Sequence, residues 1–186
     1  MPSDEILLDS EDRMVKAVEH LKHSLLGIRT GRANPGLVDT LRVEAYGTTT
    51  PLKGLAQVGA PEPTQIVIRP FDPSTIKDIE KAIRNSDLGM NPQSDGRVIR
   101  LNVPPLSTDV RKKMVSRIKE LAEEARVSIR NVRRDANKAA DTEQKEKVLT
   151  EDDCKKLKEE VQNLTKSYED TVNALAEGKE AEVMGS

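Results

Sequence analysis

The chain has no tryptophan, two tyrosines, one phenylalanine and one cysteine among 186 residues, and each scarcity removes a class of function. Proteins that grip unpaired bases by stacking need aromatic platforms. Tyr46, Phe71 and Tyr168 are too few and too scattered to provide them. A lone cysteine, Cys154, permits neither an internal disulfide nor a thiolate metal cluster. No apolar run approaches the ~20 residues of a membrane span. The opening "MPSDEILLDSEDR" carries acids where a secretory signal would carry a basic and then an apolar segment. The expectation is a cytosolic protein with no membrane contact.

Catalytic signatures are also missing. There is no GxxxxGK[ST] phosphate loop, no GxSxG elbow and no Ser, His and Asp set with informative spacing. His20 and His23 stand three apart on helical spacing, as metal ligands can, but they lie off the apolar seam and no Cys or acidic pair converges on them. The reading is no enzyme, no catalytic residue, no metal and no cofactor.

Helical patterning occupies both ends of the chain. Met14, Val18, Leu21, Leu25 and Ile28 recur at spacings of 4, 3, 4 and 3, an apolar seam one helix face wide. "TGRANPG" stops that helix, since Gly31, Pro35 and Gly36 continue it only at a cost. Helical spacing resumes at Ser107 or Thr108 with Val110, Met114, Ile118, Leu121, Ala125, Ile129, Val132, Ala136 and Ala139. A third helix, capped by Thr150, Asp152 or Asp153, should bury Leu157, Val161, Leu164, Tyr168, Val172 and Leu175.

Between them the texture changes. "LRVEAYG", "TQIVIRP" and "RVIRLNV" are short β-type runs, with Gly47, Pro51, Gly59, Pro61 and Pro63 punctuating the stretch between the first two. "DPSTIKDIEKAIRNSDLG" reads as a short helix capped by Asp72, with Ile76, Ile79 and Ile83 buried, and "NPQSDG" as a turn. The economical arrangement is an α+β protein: an antiparallel three-helix bundle from residues 1–30 and 105–186, with a small β/α/β domain, residues 31–104, inserted after the first helix. Thr30, Gly31, Pro104 and Pro105 stand where the chain leaves and re-enters the bundle, a plausible two-stranded hinge.

Charge is unevenly distributed. Residues 1–30 hold 4 basic and 6 acidic side chains and residues 31–108 hold 9 and 8; residues 109–140 hold 10 and 5, and residues 141–186 hold 7 and 13. The net charge of −2 therefore conceals one strongly basic helix beside one acidic helix. Within "ARVSIRNVRRDANK", Arg126, Arg130, Arg133 and Arg134 fall along one side of the second long helix. Two of their spacings are i,i+4 like-charge pairs, which weaken an isolated helix. Arginine's planar fork grips phosphate oxygens at two points, so such a stripe suits the backbone of folded RNA, read by shape and not by stacking. Arg29 and Arg32 add a second basic spot near the hinge. Two other readings stay open: a solvated face neutralised by Glu123, Asp135 and the acidic third helix, or a helical adaptor or coiled coil pairing basic with acidic helices between chains.

The motifs "IRTGRANPGL", "IEKAIRNSDLGMNP", "VIRLNVPPL" and "ARVSIRNVRRDAN" occur in this order, and in order and separation the chain resembles the bacterial ribosome recycling factors along essentially its whole length. The resemblance implies an L-shaped two-domain architecture. It also implies a monomer acting after termination, its bundle docked on large-subunit ribosomal RNA while elongation factor G with GTP drives the subunits apart. Position by position, it assigns RNA contacts to Arg29, Arg32, Arg126, Arg130, Arg133 and Arg134, with Arg133 central, and the hinge to Thr30, Gly31, Pro104 and Pro105. Two departures stand out. The family commonly has paired arginines after "PPLTEE", whereas "PPLSTDVRKK" places Val110 beside Arg111, leaving Arg111, helped by Lys112 or Lys113, as the expected phosphate contact there. The family's "EYYG" is "EAYG", so an aromatic is lost at Ala45 of the small domain, where a change in how that arm meets its partner is expected.

Overall fold

The computed structural model describes residues 2–185. The chain folds into two compact units, one made of the segment up to Ile28 together with Arg111–Met184, the other of Arg29–Val110. Long helices account for the first unit: α1 (Pro2–Leu26), α3 (Thr108–Lys145) and α4 (Glu151–Val183), the short α2 lying in the second.

Each helix begins and ends for a local reason. The Ser107 hydroxyl accepts from the Val110 N–H at 3.2 Å where α3 starts. At the end of α3, Lys147 takes a left-handed φ of 62°. The N–H groups of Val148 and Leu149 then fold back to the Glu143 carbonyl at 2.9 and 3.1 Å, satisfying the end of the helix. Of the three caps open from sequence, the structure selects Thr150: its hydroxyl accepts from the Asp153 N–H at 3.0 Å. Glu151, Asp152 and Asp153 place negative charge in the first turn, where the helix dipole favours it.

The five-residue turn between α3 and α4 makes those helices antiparallel neighbours. Arg13 of α1 pairs with Asp135 of α3 at 2.9 Å, while further along α1 Leu21 and Ser24 meet Leu121 and Glu124, so α1 also runs antiparallel to α3. Met14, Val18, Leu21 and Leu25 pack inside with Ile118, Ile129, Val132, Leu157, Val161 and Val172, all buried. The seam of α4 differs from expectation by a slight rotation. Thr165 and Ala176 are buried, whereas Leu164, Tyr168 and Leu175 are half-buried. Thr165 tolerates the interior because its hydroxyl donates to the Val161 carbonyl at 2.8 Å. In α3 the buried small residues are Ala122, Ala125, Ala136 and Ala140, with Val110, Met114 and Ala139 at the margin.

The second unit is richer than a β/α/β module. A hairpin of β1 (Arg42–Ala45) and β2 (Thr48–Pro51) stands beside a four-stranded antiparallel sheet. Its strands β3 (Ala56–Glu62), β4 (Gln65–Pro70), β5 (Pro92–Ser94) and β6 (Ile99–Asn102) lie in the order β3, β4, β6, β5. Ile66, Ile68, Ile99 and Leu101 point inward and share one core with Ile76, Ile79 and Ile83 of α2 (Ile76–Arg84). The stretch expected to be only turns contains β2 and β3, and "NPQSDG" begins with β5. Both prolines sit on sheet edges, Pro61 in β3 and Pro92 in β5, where a missing N–H breaks no ladder, and a register shift between Gly59 and Glu62 absorbs the irregularity.

Candidate nucleic-acid interface

Three of the four stripe arginines lie where α3 borders α4. Arg126 donates to Asn173 at 2.8 Å, Arg130 to Glu169 at 3.0 Å and Arg133 to Gln162 at 3.4 Å. The partners run backwards along α4 as the arginines run forwards along α3, as antiparallel helices require. Arg134 turns away: it is exposed and meets only Asn131, one turn earlier, at 3.5 Å. The stripe is thus a row of three guanidiniums on the α3–α4 border with a fourth projecting into solvent.

Neutralisation is uneven along that row. Glu123 lies 3.1 Å from Arg126 and 3.6 Å from Arg130, so Arg130 stands between two carboxylates, Glu123 and Glu169. The hydrogen bonds of Arg133 and Arg134 go to neutral amides, which compensate no charge. Asp135, considered from sequence as a neutraliser of the stripe, is turned toward α1 and pairs with Arg13. Successive residues are ~100° apart on a helix, which puts position 135 on the far side from position 126. The neutralised-face reading therefore holds for Arg126 and Arg130 and fails for Arg133 and Arg134.

Next along the helix, Asn137 has a buried Oδ1 with no hydrogen-bond partner among the described residues, and the buried Nε of Arg111 in the first turn of α3 is in the same condition. Arg29 is half-buried and Arg32 exposed, both in the second unit. Thr30 and Gly31 lie just beyond Ile28, and Pro104 and Pro105 precede α3; all four belong to the second unit, beside the two passages of the chain. Gly31 has φ +80°, a conformation other residues adopt at a cost. The passages share an anchor that sequence reasoning did not find: the N–H of Ala33 donates to the Pro63 carbonyl at 2.6 Å and that of Val103 to the Thr64 carbonyl at 2.8 Å. Adjacent residues of the β3–β4 turn thus tie down both strands of the crossing.

In the β1–β2 turn, Tyr46 has φ 54° and Gly47 φ 76°, the pair of positive values that a tight two-residue hairpin needs. Tyr46 is 68% exposed and Phe71 70%, and the Tyr46 hydroxyl donates to the Asp72 carboxylate. That bond, followed by the Ser74 N–H, holds the Asp72 carboxyl below the usual carboxylate range. Ala45 itself is buried in the core of this unit. The departure there bears on packing, and the exposed ring of the turn is Tyr46.

Histidines 20 and 23 are both exposed. Among the described residues no group of three or more His, Cys, Asp or Glu side chains is placed to hold a metal ion, and no helix is long and apolar enough to cross a membrane.

Comparison with known proteins places this geometry. The family model described as ribosome recycling factor matches residues 21–184. The chain is similar to the ribosome-recycling factor of Rhodopirellula baltica, 75% identical over 140 residues that make up 75% of each protein. It is similar to a solution structure of a ribosome recycling factor, with a TM-score of 0.77, 40% identity, and 100% of this chain and 99% of that one covered. It is also similar to the T. thermophilus ribosome recycling factor in models that place it with E. coli elongation factor G on the E. coli post-termination complex, with a TM-score of 0.68, 43% identity and complete coverage of both chains.

Proposed function

The chain belongs to the ribosome recycling factor family, a family of non-enzymatic translation factors, and from that premise we propose that it binds the post-termination ribosome. With elongation factor G and GTP it promotes dissociation into subunits, releasing messenger RNA and transfer RNA so that ribosomes can be reused. It works in the cytoplasm, as a monomer, and GTP hydrolysis belongs to its partner.

One observation carries the reading of the bundle: Arg133 and Arg134 stand at the α3–α4 border without carboxylate partners, in a helix whose segment has 10 basic and 5 acidic residues. Uncompensated guanidiniums at helical spacing suit phosphates of folded ribosomal RNA. Arg126 and Arg130 extend the same row, and Arg29, Arg32 and Arg111 supply contacts nearer the chain crossings. Thr30, Gly31, Pro104 and Pro105 form the hinge. The left-handed Gly31 and the paired prolines support it, because both restrict where the backbone can bend.

A subunit-splitting assay on post-termination ribosomes tests the function. Splitting should need this protein, elongation factor G and GTP together; splitting that is unchanged when this protein is omitted would refute the proposal. Replacing Pro104 and Pro105 by alanines should impair splitting more than ribosome binding, and equal losses of both would count against the hinge.

A further inference from the structure

A stripe meant only to hold RNA as tightly as possible would not carry acids within its own row. Yet Arg130 contacts Glu169 at 3.0 Å and Glu123 at 3.6 Å. Of the two acids, Glu169 is the better shielded, its side chain 26% exposed against 54% for Glu123, and it comes from the opposite helix. Gln162 and Asn173, the other two α4 residues in the row, also accept hydrogen bonds but are neutral. Either amide would orient an arginine without cancelling its charge, so the carboxylate at 169 does something beyond orientation.

Resting on the RNA-binding reading above, we propose that Glu169 is a specificity-determining residue, which holds Arg130 in an internal ion pair so that only RNA presenting a phosphate in register with Arg133 and Arg134 recruits it. A random polyanion meets Arg133 and Arg134 at full charge, but at Arg130 it must displace an acid and endure its repulsion. A correctly shaped RNA, already held by Arg133 and Arg134, brings its phosphate to Arg130 as an intramolecular event, at high effective concentration. The acid therefore lowers affinity for all RNA and lowers it most for the wrong RNA, discriminating by a repulsive element as well as by attraction. Weaker overall binding also suits a factor that must leave its site after each round.

Glu169→Gln keeps the shape and a hydrogen-bond acceptor while removing the charge. Filter binding to an unrelated RNA duplex and cosedimentation with large ribosomal subunits are measured across salt for the wild type, Glu169→Gln, Arg133→Ala, Arg130→Gln and the Arg130→Gln/Glu169→Gln pair. Glu169→Gln should bind the unrelated duplex roughly threefold more tightly, the scale of one partly exposed ion pair. Its salt dependence should steepen by about 0.9, one further phosphate contact. Affinity for large subunits should change less, and the gain on duplex RNA should vanish in the Arg130→Gln background. If Arg133→Ala weakens subunit binding while Glu169→Gln leaves the duplex affinity and slope unchanged, the filter is refuted and the RNA-binding stripe stands. If Arg133→Ala itself leaves subunit binding unchanged, the stripe is refuted and the filter with it.

Discussion

Replacing Arg130 and Arg133 one at a time by alanine separates a guanidinium that braces the bundle from one that awaits a ligand. Arg130 meets Glu169 at 3.0 Å and Glu123 at 3.6 Å, with its own side chain 39% exposed. A pair of this exposure contributes up to about 1 kcal/mol. Arg133 has one hydrogen bond of 3.4 Å to neutral Gln162, long enough that its loss should cost no more than about 0.5 kcal/mol. For a chain of this length ~1 kcal/mol shifts a midpoint by about 2–4 °C, so thermal unfolding followed by helical circular dichroism should show Arg130→Ala melting measurably lower and Arg133→Ala close to the wild type. In 1 M salt, where charges are screened within about 3 Å, the deficit of Arg130→Ala should shrink. RNA binding should rank the other way, with Arg133→Ala the larger loss. If Arg133→Ala melts as low as Arg130→Ala, Arg133 is a brace too, and its claim to be a free phosphate contact fails.

Ile129 is fully buried on the core side of α3, so Ile129→Ala should cost about 2–5 kcal/mol, seen as an earlier urea midpoint for the helical signal; a loss under about 1 kcal/mol would mean the bundle core is misplaced. Asp95 accepts from the N–H groups of Val98 and Arg97 at 3.0 and 2.9 Å, and these bonds, the Val98 one first, hold its carboxyl below the usual carboxylate range. A group depressed on folding contributes stability that is complete above its unfolded value near ~4 and is lost as pH falls through the lower folded value. Titration by carboxyl NMR should therefore place Asp95 below ~4, and Asp95→Asn should flatten the acid limb of the second unit's stability; a normal or raised midpoint would contradict the turn geometry.

The helices were legible because each buries one face, and spacings such as Met14, Val18, Leu21 and Leu25 leave few alternatives. The register of α4 was less so: Leu164 and Thr165 are adjacent, and apolarity alone favours the leucine, whereas the structure buries the threonine through a bond to Val161. Strands β3 and β5 escaped because proline argues against a strand, and that argument holds only for central strands; nothing local says which strand lies at an edge. The arginine stripe was visible as charge and spacing, yet its division into paired and unpaired members was not. Glu169 is 39 residues from Arg130 in sequence, and which acid of an acidic helix faces which arginine depends on the relative rotation of two packed helices. Asp135 shows the converse, close to the stripe in sequence and opposite it in space.

The central claim is that the exposed end of this arginine row holds ribosomal RNA by its phosphates. It is tested most directly by the salt dependence of cosedimentation with large ribosomal subunits for the wild type and Arg133→Ala. Four phosphate contacts predict a fall in log affinity against log salt with a slope of roughly −3 to −4 for the wild type, and a shallower slope with weaker binding for Arg133→Ala. Identical slopes and affinities for the two proteins, with unchanged helicity, would contradict the account.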